Sequence, residues 1–196
     1  LTAQAFQQID AIINKASQEG RSALLEPEGL AILRSIGIRT PVYVMLDNEA
    51  DVDSIDLSIF PSAEVVVKVV SENILHKSDC GGVLFVSKER EAIKRAFLTL
   101  EDRFKEIGTR GAIVVEKVCY DPSLGGEILI GARHTEDFGP IVTFGAGGIY
   151  TEFLSANFIY GKDVGIFVPG LDDVASIRRG LASVAITSLL TGTQRG

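Results

Sequence analysis

Val65-Val66-Val67-Lys68-Val69-Val70, Ser71-Glu72-Asn73-Ile74-Leu75-His76-Lys77-Ser78-Asp79-Cys80-Gly81-Gly82 and Val83-Leu84-Phe85-Val86 read as strand, loop and strand. A β-branched run broken by one lysine marks a buried strand that carries a single polar group. A lysine there suits phosphate oxygens, because an ammonium is a point charge with three donors. The same lysine also fits a sheet edge or a side chain that snorkels outward. The loop crowds Lys77, Ser78 and Asp79 beside His76. Gly81-Gly82 reads as a simple turn, or as a place where backbone N–H groups approach an anion. His76 reads as a solvated loop residue or as a nucleophile able to take and return a phosphoryl group. The spacing is not that of a P-loop.

Outward from this stretch, the chain reads as alternating helices and strands. Helices are expected over Ala5–Ser17, Ser22–Ser35, Glu49–Ile55, Lys88–Ile107 and Leu171–Leu190. In the fourth, Ala92, Ile93, Ala96, Phe97, Leu100, Phe104 and Ile107 fall at helical spacing, Ser87 is a candidate cap, and Lys88 to Glu91 read as a solvated first turn. Strands are expected over Val42–Leu46, Ala112–Val118, Glu127–Arg133, Ile141–Phe144 and Ile149–Phe153, with Gly145 to Gly148 as a hairpin turn. His134 reads as a solvated turn residue.

Composition sets bounds. The 196 residues suffice for one large domain or two small lobes, and 46% apolar content can fill a core. A net charge of −7 argues against a nucleic-acid surface. No run of about 20 apolar residues exists to span a membrane. Leu1-Thr2-Ala3-Gln4 lacks a basic start and a long apolar region, so no signal peptide is expected, and it lacks an initiator Met, so a cut from a longer chain or a processed form is expected. Cys80 and Cys119 form no metal or disulfide pattern, and a reducing cytoplasm is the expected compartment.

Three blocks in order resemble the ATP-grasp domain of the ADP-forming (NDP-forming) acyl-CoA synthetases, the acetate–CoA ligase family, and more distantly the nucleotide-binding subunit of succinyl-CoA synthetase. They are Lys68-Val69-Val70-Ser71 with Ile74-Leu75-His76-Lys77-Ser78-Asp79 and Gly81-Gly82-Val83; Gly126-Glu127-Ile128-Leu129-Ile130-Gly131 with Phe138-Gly139-Pro140 and Phe144-Gly145-Ala146-Gly147-Gly148-Ile149-Tyr150-Thr151-Glu152; and Leu189-Leu190-Thr191-Gly192 with Arg195-Gly196. The resemblance implies an α/β (α+β) ATP-grasp fold of two lobes, each a small sheet with helices. The expected divisions are a lead-in helix over 1–20, an N-terminal lobe over 21–110 and a truncated C-terminal lobe over 111–196.

The resemblance also implies a chemistry: phosphoryl transfer between ATP/ADP and a histidine during acyl-CoA/acid interconversion. His76 matches the phosphohistidine and Glu152 a glutamate near it. Lys68 matches the phosphate-binding lysine, Glu116 to Val118 the hinge that reads adenine, and Glu127 a site carboxylate. Lys77, Ser78, Asp79, Gly81 and Gly82 would form a phosphate loop. From the residues alone, the favoured reading of Glu116 and Glu127 is strand-edge charges paired with neighbours. No metal ligand is assigned; the family's magnesium ligands are expected beyond residue 196. The implied partners are a CoA-ligase part in the same chain or another subunit and an oligomer in the complete enzyme, with no nucleic acid and no membrane. The alternative reading is a non-catalytic regulatory domain of a fused protein acetyltransferase.

Overall fold

The computed structural model describes residues 2–74, 77–121, 123, 125–148, 150–157 and 161–193, without the side chains of Glu152 and Ser155. It divides into two compact units, Leu1–Val118 and Cys119–Gly196.

The first unit contains α1 (Ala3–Gln18), α2 (Glu26–Ser35), β1 (Tyr43–Leu46), the short α3 (Asp51–Ser54), β2 (Glu64–Val69), β3 (Val83–Ser87), α4 (Arg90–Phe104) and β4 (Ala112–Glu116). Its sheet runs β1-β4-β2-β3, with every pairing antiparallel. β2 and β4 are internal and covered on both faces, which explains their near-continuous apolar runs. Strand alternation sends Val65, Val67, Val69 and Val114 toward α4, where they pack with Ile93, Phe97 and Leu100. Fully burying each such large side chain contributes about 1.5–3 kcal/mol. Ile113, Val115 and Val70 form a second cluster with Leu25 and Leu30 of the α2 region. Lys68 takes the strand position opposite in facing to Val67 and Val69, and its register neighbours are Val83 and Ile113. It therefore stands on an interior strand and not at the sheet edge.

β4 corrects the expected boundary at residue 111. Pairing of Val65↔Glu116 through Val69↔Ala112 makes it a central strand of the first sheet, and the units part after Val118. The start of α4 also differs: Ser87 ends β3 and the helix opens after Glu89. Lys88 and Arg90 are not merely solvated. Lys88 Nζ donates to the Phe60 carbonyl at 2.7 Å, and Arg90 donates to those of Val52 and Ile55. These bonds satisfy carbonyls left over where a short helix and a bend end.

The second unit contains β5 (Ile128–Thr135), β6 (Gly139–Ala146), α5 (Tyr150–Asn157), β7 (Val164–Phe167), α6 (Val174–Ser183) and α7 (Ala185–Leu190). Its antiparallel sheet runs β5-β6-β7. The β5–β6 hairpin closes on Thr135↔Gly139, with Gly139 at φ 68° supplying the left-handed residue of the turn. Where a strand over Ile149–Phe153 is expected, the described residues from Tyr150 onward are helical: Thr151 N–H donates to Gly148 O, and the Thr151 hydroxyl to Ala146 O. The expected last helix is broken at Val184, whose extended backbone lets Ala185 N–H reach Lys162 O at 2.8 Å. His134 is exposed and lies within β5. Among the described residues no helix is long and apolar enough to cross a membrane.

Candidate functional site

In the first unit, three charged side chains converge where α2 meets the sheet. Lys68 Nζ donates to Glu26 Oε1 at 2.7 Å, and Lys77 Nζ donates to Glu26 Oε2 at 2.9 Å. The three side chains are about one-sixth to one-quarter exposed. Glu26 opens α2, where an acidic residue complements the helix dipole. The preceding turn is fixed independently. Glu28 Oε2 accepts the Leu25 N–H at 2.8 Å, and Arg21 grips both Glu28 oxygens at 2.8 and 2.7 Å while also reaching Glu19. Leu25 has no side-chain acceptor, so only the Glu28 half of a capping box exists. The bonds to Glu28 hold the Arg21 guanidinium well above its ordinary range.

Burial pushes the Glu26 carboxyl up, and the hydrogen bonds and charges of Lys68 and Lys77 more than offset it, leaving the carboxyl below its usual range. Two ammonium groups against one carboxylate leave a net positive cluster, which suits an incoming anion. Sequence reasoning found both lysines and missed Glu26. An acidic residue in a first helical turn has a sufficient local explanation, and its lysine partners lie 42 and 51 positions away.

The rest of the expected phosphate loop behaves differently. Ser78 and Asp79 are exposed. Gly82 N–H donates to Lys77 O at 2.6 Å and Gly81 N–H to Ser78 O at 3.3 Å, so both backbone donors are committed to the turn and not presented to an anion. Gly81 has φ 71°, and its carbonyl accepts from Arg103 Nη1. The turn is what requires glycine here. The expectation for His76 lies outside the described residues.

At the end of β4, Glu116 is a structural partner. Its N–H donates to Val42 O at 2.8 Å and its Oε2 accepts from Val42 N–H at 3.0 Å. It stands three register positions from Lys68, or about 10 Å along the strand, and is not part of the lysine cluster. Val118 follows the sheet and is half exposed.

In the second unit, Glu127 precedes β5 and its carbonyl accepts from Gly147 N–H at 3.0 Å. A Cβ on Gly148 would lie 1.9 Å from Glu127 Oε2, so only glycine at φ 63° leaves that carboxylate its place at the start of α5. The Tyr120 hydroxyl donates to the same carboxylate, which pushes the phenol's pKa up. Glu152 lies in α5, three positions after Ile149; the expectation for its side chain falls outside the described residues. An open apolar groove of about 400 Å³ lies between this unit's sheet and α6, lined by Ile130, Phe144, Phe167, Pro169, Ile177 and Leu181 among others.

Comparison with known proteins defines the class. Residues 15–195 match the family described as ATP-grasp domain, and the chain belongs to that family. It is 36% identical over 146 residues to the beta subunit of ADP-forming acetate–CoA ligase I of Pyrococcus furiosus, a match covering 73% of this chain and 60% of the relative. Among solved structures, it resembles the dinucleotide-forming acetyl-coenzyme A synthetase 1 of Ca. Korarchaeum cryptofilum in complex with coenzyme A, Ca-AMPCP and HgCl+. That likeness has a TM-score of 0.76 at 28% identity and covers 93% of this chain and 76% of that one. A second structure of that synthetase holds coenzyme A and Mg-AMPPCP, with its phosphohistidine segment pointing towards the nucleotide-binding site. There the TM-score is 0.67 at 27% identity, over 93% and 74% of the two chains.

Proposed function

We propose that this chain is the nucleotide-binding part of an ADP-forming acyl-CoA synthetase, passing a phosphoryl group between ATP/ADP and His76. The observation that carries the reading is the convergence of Lys68 and Lys77 on one carboxylate, on an interior strand of an ATP-grasp domain, with Lys77 next in sequence to His76. Lys68 binds phosphate oxygens of the nucleotide, and Lys77 offsets charge on the phosphoryl group in transit. In one direction the unprotonated ring nitrogen of His76 gives its lone pair to the γ-phosphorus. The bond to the β–γ bridging oxygen breaks and its electrons leave on ADP, while the other ring nitrogen releases its proton. In reverse, a terminal oxygen of ADP takes the phosphoryl group. Glu127 and Glu152 supply carboxylates to the same chemistry. Magnesium would, when bound, supply neutralisation of phosphate charge. Among the described residues no group of three or more His, Cys, Asp and Glu side chains is placed to hold it, so no step is assigned through the metal.

The acyl chemistry belongs to a CoA-binding part, in the same chain or a partner subunit, within a cytoplasmic oligomer. The naming of the Pyrococcus relative as one subunit supports that division. Calorimetry with ADP on wild type and Lys68→Ala tests the reading. Losing one charge-assisted phosphate contact costs about 1.5–3 kcal/mol, a weakening of roughly tenfold to a hundredfold. Equal affinity removes Lys68 from the site.

A further inference from the structure

Lys68 and Lys77 are long, flexible side chains, and an ammonium at the end of a four-carbon stem does not choose one position unaided. In this chain a single carboxylate chooses for both. Glu26 binds Lys68 through one oxygen and Lys77 through the other, and so joins strand β2 to the turn after residue 76. Its own position is overdetermined. It sits in the first turn of α2, beside the Arg21–Glu28 grip and the Leu25 N–H bond to Glu28. Leu25 and Leu30 pack this region onto Ile113 and Val115 of β4. Helix, sheet and carboxylate thus form one packed frame, and the lysine heads are its adjustable members. The same logic operates in protein kinases, where a helix glutamate must hold a strand lysine before that lysine serves the phosphates.

We propose that Glu26 is a positioning residue for phosphate recognition, holding the Lys68 and Lys77 ammonium groups where the phosphates of a nucleotide meet them. This deepens the proposed nucleotide site and rests on that reading. Each ammonium has three donors and gives one to Glu26, so further donors remain for phosphate oxygens. Pre-ordering the two side chains lowers the entropy that binding must otherwise spend. The effect acts only on ligands that carry phosphate. A general loosening of the fold would weaken every ligand alike.

The test measures affinities of the full-length chain for adenosine, ADP and ATP, with Glu26→Ala, Glu26→Gln, Lys68→Ala and the Glu26→Ala/Lys68→Ala pair beside wild type. Thermal melts monitor folding. Glu26→Ala is expected to weaken ADP and ATP about tenfold while adenosine is unchanged. Glu26→Gln, which keeps an acceptor, is expected to fall between Glu26→Ala and wild type. In the Lys68→Ala background, the Glu26→Ala effect is expected to shrink, because neighbours acting through one contact are not additive. If Lys68→Ala weakens ADP and Glu26→Ala does not, or if Glu26→Ala weakens adenosine as much as ADP, the role of Glu26 is overturned and the nucleotide reading stands. If Lys68→Ala leaves ADP untouched, or the chain binds no ADP, the nucleotide reading itself fails and takes this inference with it.

Discussion

Gly111 lies just before β4 with φ +91°, and a Cβ there would sit 2.0 Å from Leu46 O and 3.0 Å from the Leu46 carbonyl carbon. Both atoms are backbone at the end of β1, so no side chain can swing away. The Gly111 carbonyl also accepts from Val70 N–H at 3.0 Å, and Arg110 N–H donates back to Val70 O at 2.8 Å, tying the approach to the central strands. Gly111→Ala therefore has two costs. The left-handed conformation costs about 1–2 kcal/mol for an L-residue. Relieving the clash by shifting β4 against β1 adds an overpacking cost of about 1–3 kcal/mol. The total, about 2–5 kcal/mol, is a large share of a typical domain's stability. Gly108 isolates the first cost: it has φ +81° and nothing within 4 Å of a built Cβ. Urea unfolding followed by far-ultraviolet circular dichroism, with the slope checked for constancy, compares the two. Gly108→Ala should lose about 1–2 kcal/mol and Gly111→Ala clearly more. Equal losses, or a Gly111→Ala midpoint indistinguishable from wild type, would refute the close approach of β4 to β1.

Two further outcomes follow from the charges and the boundary. Arg110 holds the Glu72 carboxyl down to about 2, and Lys68 and Lys77 lower Glu26. Each is depressed on folding, so its contribution is complete above the unfolded value of about 4.3 and is lost as pH falls through the folded one. The urea midpoint should fall as pH drops from about 5 to about 2, and less steeply in Glu72→Gln; identical slopes would remove the Arg110 pair from the account. Limited proteolysis should cut first in the connection at residues 119–127, where Cys119 and Tyr120 are exposed, releasing a fragment that retains the four-stranded sheet. Mass spectrometry showing a first cut within β4 would contradict its central place.

How far the sequence was legible differs by element. Lys68 on a buried strand, the β2–loop–β3 order and the apolar face of α4 all follow from local periodicity, which burial in a small domain enforces. The assignment of β4 to the first sheet does not. Its run of apolar residues says that it is buried, but strand partners are chosen across 43 to 51 positions that periodicity cannot see, as Val67↔Val114 illustrates. The segment after Gly148 failed for a different reason. Tyr150-Thr151 has strand-like composition, and the helix is fixed by Thr151 bonding back to Ala146 and Gly148. Within the site, the lysines were visible as charges out of place. Glu26 was invisible because an acidic residue at a helix start is already in place.

The central claim is that His76 carries a phosphoryl group, and acid-labile, base-stable phosphate is its direct signature. Full-length protein incubated with γ-labelled ATP and magnesium should take up label in the nucleotide-binding part. His76→Asn keeps a polar side chain of similar size and removes the nucleophile, so it should fold and take up none. Labelling of His76→Asn equal to wild type would show that the phosphoryl group is carried elsewhere.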